Sequence, residues 1–447
     1  MNLEAIRQAD EFARHRVYTI AGASLPVMEH PDGVYIGLPE IDYLTDWALS
    51  YSAFKLINSS PPDWHWDSPF NLISVKDEKD TPALRFGSAL HCALLEPPGT
   101  LEKRFGVAPV IDDYPNAVRT ADQAKARLRE IGGKTSGLKP ELMARLRELD
   151  PDVQIFDDIL AKWRSQGKVE LSAGDFDKIK LMVALATKHP DLVKAFTGVG
   201  LSEVSVFWTD ENGVRQRARF DRLKPVASID LKSFSNWQGR DFKKALLREA
   251  ALRFYDVQAA HYDEGRRQAR RLVSEGKVYV CSEQLVGIGE DGQYAWDPDA
   301  PVSGGQLLLN DQRPAGTQRA WFTFEADEKG EIHGRGRHLA NEAQASITSI
   351  RPPTEAEMEL VSKVFSPESW EWVWIFYKTD GAPTAQPVRL TRDSKAFARG
   401  VERRETALGH YLHYREIFGL EQMWIRMDPM FTPDESDWPF FMGPDDA

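Results

Sequence analysis

Cysteine is scarce in this chain, with Cys92 and Cys281 the only two in 447 residues. That number excludes a disulfide framework, a four-cysteine zinc site and a four-cysteine iron–sulfur cluster. Long hydrophobic runs are missing too, and no stretch approaches the length needed to span a bilayer. The opening MNLEAIRQADEFARHR is polar and amphipathic, without the layout of a secretion signal, so a cytoplasmic protein is expected. Positive charge is not in excess: 56 Lys and Arg stand against 68 Asp and Glu, a net charge of −12. A protein that coats nucleic acid by bulk electrostatics is thereby excluded, whereas a local basic groove is not. There is no GxxxxGK[ST] phosphate loop and no internal repeat.

What is present reads as globular. Hydrophobic content of 42% and charged content of 28% are ordinary, and the length has room for two to four domains or one large decorated one. Residues 1–80 read as irregular, with short helices and a patch SSPPDWHWDSPF. Thr81 to Glu96 reads as a helix with Pro82 in its first turn, stopped by Pro97-Pro98. Leu84, Gly87, Ser88, His91, Leu94 and Leu95 share one side of it, and small Gly87 and Ser88 leave room beside His91.

Residues 99–200 read as mostly helical. Within them ADQAKARLREIGGKTSGLKPELMARLREL resembles the SAP-type helix–loop–helix module, which implies DNA tethering; a purely structural helical hairpin explains the same pattern. From Leu201 the character changes to strand, turn, strand, strand, helix. SEVSVFW alternates, and Asn212-Gly213 carries a two-residue hairpin signal. Gly239 to Arg253 and Tyr255 to Ser274 read as helices. Residues 286–369 have poor periodicity and read as an irregular insertion. Trp370 to Lys378 and Ala385 to Arg392 read as strands, Ser394 to Gly419 as a long helix, and PDESDWPFFMGPDDA as a flexible acidic tail.

Gly213 to Ser233, GVRQRARFDRLKPVASIDLKS, concentrates the chemistry. Side chains alternate on a strand, so Asp230 and Lys232 share a face with Ser228, while Ala227, Ile229 and Leu231 form the apolar opposite face. Asp221 can return to the same place across the Leu223 to Pro225 turn. Two carboxylates can hold a hard divalent cation, and a lysine beside them can orient or deprotonate a water. Alone, Asp-x-Lys is ordinarily a solvated strand edge. Its company here is His91 on the upstream helix and Gln258 with Tyr262, four apart and on one helix face, downstream. Arg215, Arg217, Arg219 and Arg222 surround it in sequence; Lys243, Lys244, Arg248, Arg266, Arg267, Arg270 and Arg271 follow on the helices. Glu203 depends on hairpin register. A two-residue Asn212-Gly213 turn sets Val204 opposite Asp221 and turns Glu203 to the other face, and a one-residue slip reverses that.

FGSALHCALLEP, SEVSVFWTDENGVRQRARFDRL, VASIDLKS and YDVQAAHYDEG, in that order, resemble the PD-(D/E)xK nuclease superfamily. The likeness is to the RecE-like (exonuclease VIII-type) phage and prophage exonucleases of its RecB branch, over roughly residues 49–110 and 195–285. The first acid follows Phe220 and not the family's proline. The resemblance implies an α/β fold: a restriction-endonuclease-like core whose central mixed sheet is flanked by helices. It divides the chain into a core segment 1–110, a helical insertion 111–200 (SAP-like at 120–149), catalytic strands and QxxxY helix 201–285, an insertion 286–369, and core-completing elements 370–447.

By the same resemblance, His91, Asp221, Asp230 and the Leu231 carbonyl hold Mg²⁺ or Mn²⁺, and Lys232 is the catalytic lysine, with Asp221 and Asp230 as catalytic acids. Gln258, Tyr262 and Arg219 support the site or the DNA. An imidazole ligand tilts the site towards Mn²⁺. The iron–sulfur relatives of the branch are excluded by the cysteine count. The implied activity is a stand-alone exonuclease resecting linear double-stranded DNA from its ends, 5′ to 3′, in recombination. Its implied partners are a single-strand annealing protein and further copies of itself in a ring. The alternatives are a structure-specific or restriction-like endonuclease and a non-catalytic DNA-binding phage protein of the same fold.

Overall fold

The computed structural model describes residues 17–20, 23–26, 30–71, 81–96, 98–236, 238–288, 294–295, 308–310, 321–325, 333–338 and 344–427. The whole polar N-terminal segment 1–16 and the whole acidic C-terminal tail lie outside the described residues.

The strands that matter are β1 (Gly33–Ile36), β2 (Leu201–Thr209), β3 (Arg215–Lys224), β4 (Ala227–Phe234) and β5 (Val278–Ile288). They are followed by β6 (Tyr294–Ala295), β7 (Leu308–Asn310), β8 (Trp321–Glu325), β9 (His333–His338), β10 (Gln344–Arg351), β11 (Glu371–Lys378) and β12 (Thr384–Leu390). All join one mixed sheet in the order β7-β8-β9-β10-β5-β1-β2-β3-β4-β11-β12, with β6 paired to β5. The β1/β5 and β4/β11 pairs are parallel, and the others are antiparallel. Among residues 286–369, expected to be irregular, the described ones instead extend this sheet with an antiparallel run and supply the helix Glu355–Phe365. Val361, Val364 and Phe365 of that helix are buried in the main core. Loop-like composition masked short strands whose partners are supplied by the rest of the sheet.

Four helices frame the sheet: α1 (Tyr51–Ser59), α2 (Pro82–Leu95), α3 (Tyr255–Ser274) and α4 (Lys395–Phe418). Thr81 caps α2 by accepting the Leu84 N–H, and Pro82 occupies its first turn, where a missing N–H costs nothing. Phe86, Ala89 and Leu90 of α2 pack on Ile229 and Leu231 of β4, the apolar face expected for that strand. The other face meets α3, through a core that includes Phe220, Ala259, Tyr262, Trp372 and Trp374.

From Asp256 to Asp263 every residue of α3 is buried, because the sheet covers one side and α4 the other. Gly400 makes the α3–α4 crossing this close: a Cβ there would lie 2.1 Å from the Asp256 carbonyl oxygen. Buried carboxylates need cations, and each acid of this stretch has them. Asp256 receives Arg399 at 2.7 Å and Arg403 at 3.1 Å; Asp263 receives Arg267 and Arg392, both at 2.6 Å.

The segment expected to resemble a SAP module forms two helices, Ala121–Glu130 and Lys139–Leu149. They enclose their own core of Ala124, Leu128, Leu142, Met143 and Leu146. No described helix is long and apolar enough to cross a membrane.

Candidate active site

The site lies where two neighbouring strands part. β3 and β4 are paired only at Arg222–Ile229, Leu223–Ser228 and Lys224–Ala227, close to their connecting turn. Beyond that, β4 runs parallel to β11 along its whole length while β3 stays with β2. Asp221 and Asp230 are the first residues past the last paired rung. A fork of this kind leaves backbone groups without ladder partners, and the side chains fill in: the Leu231 N–H donates to Asp221 Oδ2 at 2.7 Å.

On the α2 side of the fork, His91, Glu203 and Asp221 bring one ligand atom each to within 4.8 Å of one another. His91 Nδ1 is 3.8 Å from Asp221 Oδ2. Glu203 is held by Arg219, whose Nε donates to Glu203 Oε2 at 2.7 Å and whose Nη1 donates to the Leu38 carbonyl at 2.7 Å and Ser205 Oγ at 3.1 Å. On the α3 side, Lys232 forms an ion pair with Asp230 Oδ2. Gln258 Nε2 donates to Asp230 Oδ1 at 2.8 Å. The Tyr255 ring lies against the ammonium, 5.0 Å from centroid to Nζ.

The register of the β2–β3 hairpin differs from a two-residue Asn212-Gly213 turn. Residues Leu201 to Thr209 pair with Leu223 to Arg215, which sets Glu203 directly opposite Asp221 and Val204 opposite Phe220. The reason is Asp210. Its Oδ1 accepts the Asn212 and Val214 N–H groups, its carbonyl accepts the Gly213 N–H, and Gly213 takes a left-handed φ of 69°. This is a type I turn closed by a glycine bulge, a three-residue loop that moves every partner by one. Glu203 joins the site, and it does so with φ of 53°, an unusual backbone for a non-glycine residue at the one rung missing from the ladder.

Burial governs the electrostatics. It pushes the Asp230 carboxyl up to about 6, against the lowering influence of the Lys232 ammonium, and neighbouring Asp221 adds to the rise. Burial likewise raises Asp221, although Lys232, the Leu231 N–H and Arg219 pull it back. Glu203 is raised by burial, with Arg219 opposing and Asp221 assisting. For His91, burial and Lys232 hold the imidazole below its ordinary value despite Glu203 and Asp230. Burial alone would lower Lys232, but Asp230 and Asp221 outweigh it and keep the ammonium above its ordinary range. Three carboxyls with raised proton affinity, Asp230 buried and Asp221 and Glu203 half-buried, are short of positive charge. With a neutral imidazole among them, the donor set fits a divalent cation that takes oxygen and one nitrogen.

A cavity of about 760 Å³ opens onto this cluster and is lined by His91, Glu203, Arg219 and Ser233 together with Glu40 and residues of α2. Gly87 and Ser88 border it as expected, and a Cβ at Gly87 would meet nothing within 4 Å. The sequence does not point to Glu40, whose charge reaches His91 and Asp221. Nothing in its local surroundings along the chain distinguishes it. Tyr255, three residues before Gln258 on the same helix, likewise has no role that its position in the sequence assigns.

The remaining predicted residues divide. Gln258 reaches the site directly. Tyr262 packs its ring on Phe220 at 5.1 Å and Trp372 at 5.5 Å, so it backs the strand that carries Asp221. Leu231 contributes its N–H to Asp221. Of the four β3 arginines only Arg219 lines the cavity. Arg215 and Arg217 tie the sheet to residues 30–46, and Arg222 bonds Ser202 and the Gly198 carbonyl. Arg266 is buried on backbone carbonyls and Ser228.

No curated protein matches the chain. Among solved structures it is similar to a candidate exonuclease from Eubacterium rectale, at 11% identity and a TM-score of 0.38 over 89% of this chain and 97% of that one. A sequence family matches over residues 50–283, just over half of the chain, from α1 into β5 and including the strands that build the fork. The mixed α/β fold and the parted acid-bearing strands agree with it, and the chain belongs to that family, the PDDEXK-like domain of unknown function (DUF3799).

Proposed function

We propose that this protein is a divalent-metal-dependent exodeoxyribonuclease that degrades linear double-stranded DNA from its ends. The observation that carries the reading is the strand fork, where Asp221 and Asp230 face a half-buried Lys232 beside the His91–Glu203–Asp221 cluster. His91, Glu203, Asp221 and Asp230 would hold Mg²⁺ or Mn²⁺, with the Leu231 carbonyl as a further candidate. A bound ion of this kind activates water and neutralises charge on the scissile phosphate.

The protein's own groups supply the rest. Lys232 is held protonated by Asp230 and Asp221, so its part is positive charge and hydrogen-bond donation near the attacking oxygen, not proton removal. Gln258 fixes the Asp230 carboxylate from behind, and the Tyr255 face limits where the ammonium can swing. The His91 imidazole, kept neutral, offers a lone pair.

The finer assignments, RecE-like identity, 5′ to 3′ polarity, a role in recombination, a ring of copies and an annealing partner, extend the same reading. The experiment is digestion of linear and covalently closed DNA with Mg²⁺ or Mn²⁺, using wild type and Lys232→Ala. Loss of linear DNA with the closed form intact, dependent on Lys232, is expected. Nicking of closed circles would make it an endonuclease, and equal activity of the two proteins would remove the proposed mechanism.

A further inference from the structure

The helix Phe242–Leu252 leaves the strand of Lys232 and returns the chain to the same lysine. At its start, Phe242 stacks edge-on against Phe234, two residues beyond Lys232, at 5.5 Å. At its end, the chain delivers Tyr255 onto the Lys232 ammonium. Arg253, one residue past the helix, gives its carbonyl to the Tyr51 hydroxyl of α1 at 2.5 Å. The helix is therefore fastened beside the fork at both ends.

Its two faces differ sharply. Leu246 is buried, and Phe242, Ala245 and Ala250 pack against the core. Lys243, Lys244, Leu247, Arg248 and Leu252 are exposed, the leucines by 50% and 60%.

Three cations without a carboxylate partner among the described residues are gathered on that face beside the fork, whereas other unpaired ones, such as Arg129, Lys162 and Lys188, lie elsewhere. Arg127, Arg147, Arg267, Arg271 and Lys363 are each paired with a carboxylate at 3.0 Å or less. Among the described residues the side chains of Lys243, Lys244 and Arg248 have no such partner. The nearby acids are already committed: Asp241 caps the helix through the Lys244 N–H at 3.0 Å, and Glu249 accepts Arg253 at 2.9 Å. Lys244 and Arg248 are like charges one turn apart, an arrangement that weakens a helix. In a chain of net charge −12, cations left unneutralised at a small destabilising cost point to an anionic partner. Positions one turn apart lie about 5–6 Å from each other, close to the spacing of successive phosphates along an extended strand.

We infer that the outer face of the helix Phe242–Leu252 is a nucleic-acid contact: Lys243, Lys244 and Arg248 bind successive phosphates of the DNA strand at the fork, and Leu247 packs on its sugars or bases. This rests on the proposed nuclease reading and names the surface that feeds the site. The three cations meet phosphate, so they position the strand without reading its sequence.

The test is the salt dependence of DNA binding by the full chain. A short fluorescein-labelled duplex is titrated by anisotropy with Ca²⁺ present, between about 50 and 200 mM salt. The variants are Lys243→Gln/Lys244→Gln/Arg248→Gln and, as a control on the helix pair 121–149, Lys125→Gln/Arg129→Gln/Lys134→Gln. Removing three phosphate-neutralising cations should lower the slope of log affinity against log salt by about 2 to 3, since each contributes about 0.7–0.9. Hydrolysis of bis(p-nitrophenyl) phosphate, which is too small to reach the helix, should stay unchanged. An unaltered slope in the first variant, or a loss confined to the control variant, overturns the inference. A wild type that binds DNA yet hydrolyses neither DNA nor the small diester overturns the nuclease reading instead, and the slope still decides the surface.

Discussion

Glu203 faces Asp221 across the β2–β3 hairpin at the one rung where the ladder is interrupted, and with His91 they form a cluster whose ligand atoms lie within 4.8 Å. Both carboxyls are raised by burial, so each gains from a cation placed between them. Glu203→Gln keeps the shape and the Arg219 neighbour but removes one negative charge. Mn²⁺ binding measured by calorimetry should weaken at least about tenfold, as loss of a supporting or ligating group at a metal site ordinarily does. Unchanged affinity would put Glu203 outside the metal shell and leave it as the anchor of Arg219.

Lys232→Ala should lower kcat on DNA by about 10²–10³-fold, the usual result of removing one charged donor from a developing oxyanion, while Mn²⁺ still binds. Tyr255 positions that lysine through its ring face. Tyr255→Leu should cost about 1–2 kcal/mol, a drop in kcat of roughly fivefold to thirtyfold with KM little altered, and Tyr255→Phe should retain most of the activity. If Phe and Leu behave alike, the ring contact is packing only.

His261 makes acid stability predictable. It is fully buried, its Nε2 bonds to the Arg217 carbonyl at 2.8 Å, and Arg404 faces its other nitrogen at 3.5 Å. Burial, reinforced by Arg404, pushes the imidazole down to about 3. The unfolded chain, near 6.5, takes up the proton first. The group's contribution is therefore complete above about 6.5 and is lost as pH falls towards 3. Between pH 7 and 4.5 wild type should lose on the order of 2 kcal/mol from this residue, and His261→Gln should lose that much less across the same range in urea unfolding. Parallel pH profiles for the two proteins would contradict the assignment.

Gly400→Ala tests the scaffold. The added carbon would meet the Asp256 backbone, which has no rotamer by which to retreat. Helices α3 and α4 must separate, at about 1–3 kcal/mol or more, seen as a lower urea midpoint. Because α3 carries both Tyr255 and Gln258, kcat should fall with it, whereas Gly409→Ala, in open space on the same helix as Gly400, should change neither.

Much of this architecture was legible in one dimension. Alternation put Asp230 and Lys232 on one face of β4 and Ile229 and Leu231 on the other, where α2 packs. Pro82 and the Pro97-Pro98 pair bounded the helix of His91, and the resemblance to the nuclease superfamily assigned Gln258 to the site, where it reaches Asp230. Local patterns of this sort are dictated by backbone periods of 2 and 3.6, which are properties of the chain alone.

Other features were not legible because they depend on partners remote in sequence. The strands among residues 286–369 exist because β5 and its neighbours provide ladder bonds. The abundance of arginine around Asp221 suggested a groove, but folding spends Arg215, Arg217 and Arg222 on carbonyls and acids elsewhere. The cations that face outwards beside the fork belong instead to the helix after β4. Glu40 enters the cavity only through tertiary packing.

The sequence by itself determined that two acids and a lysine fall on adjoining strands, because strand alternation and the short turn between them suffice for that, while the histidine and glutamine on flanking helices were joined to them by the order of motifs shared with the nuclease superfamily. Tertiary structure decided that Glu203 meets Asp221. Asp210 and Gly213 close a three-residue loop where Asn212-Gly213 alone reads as two, and a one-residue change of register turns a side chain from one face of a sheet to the other.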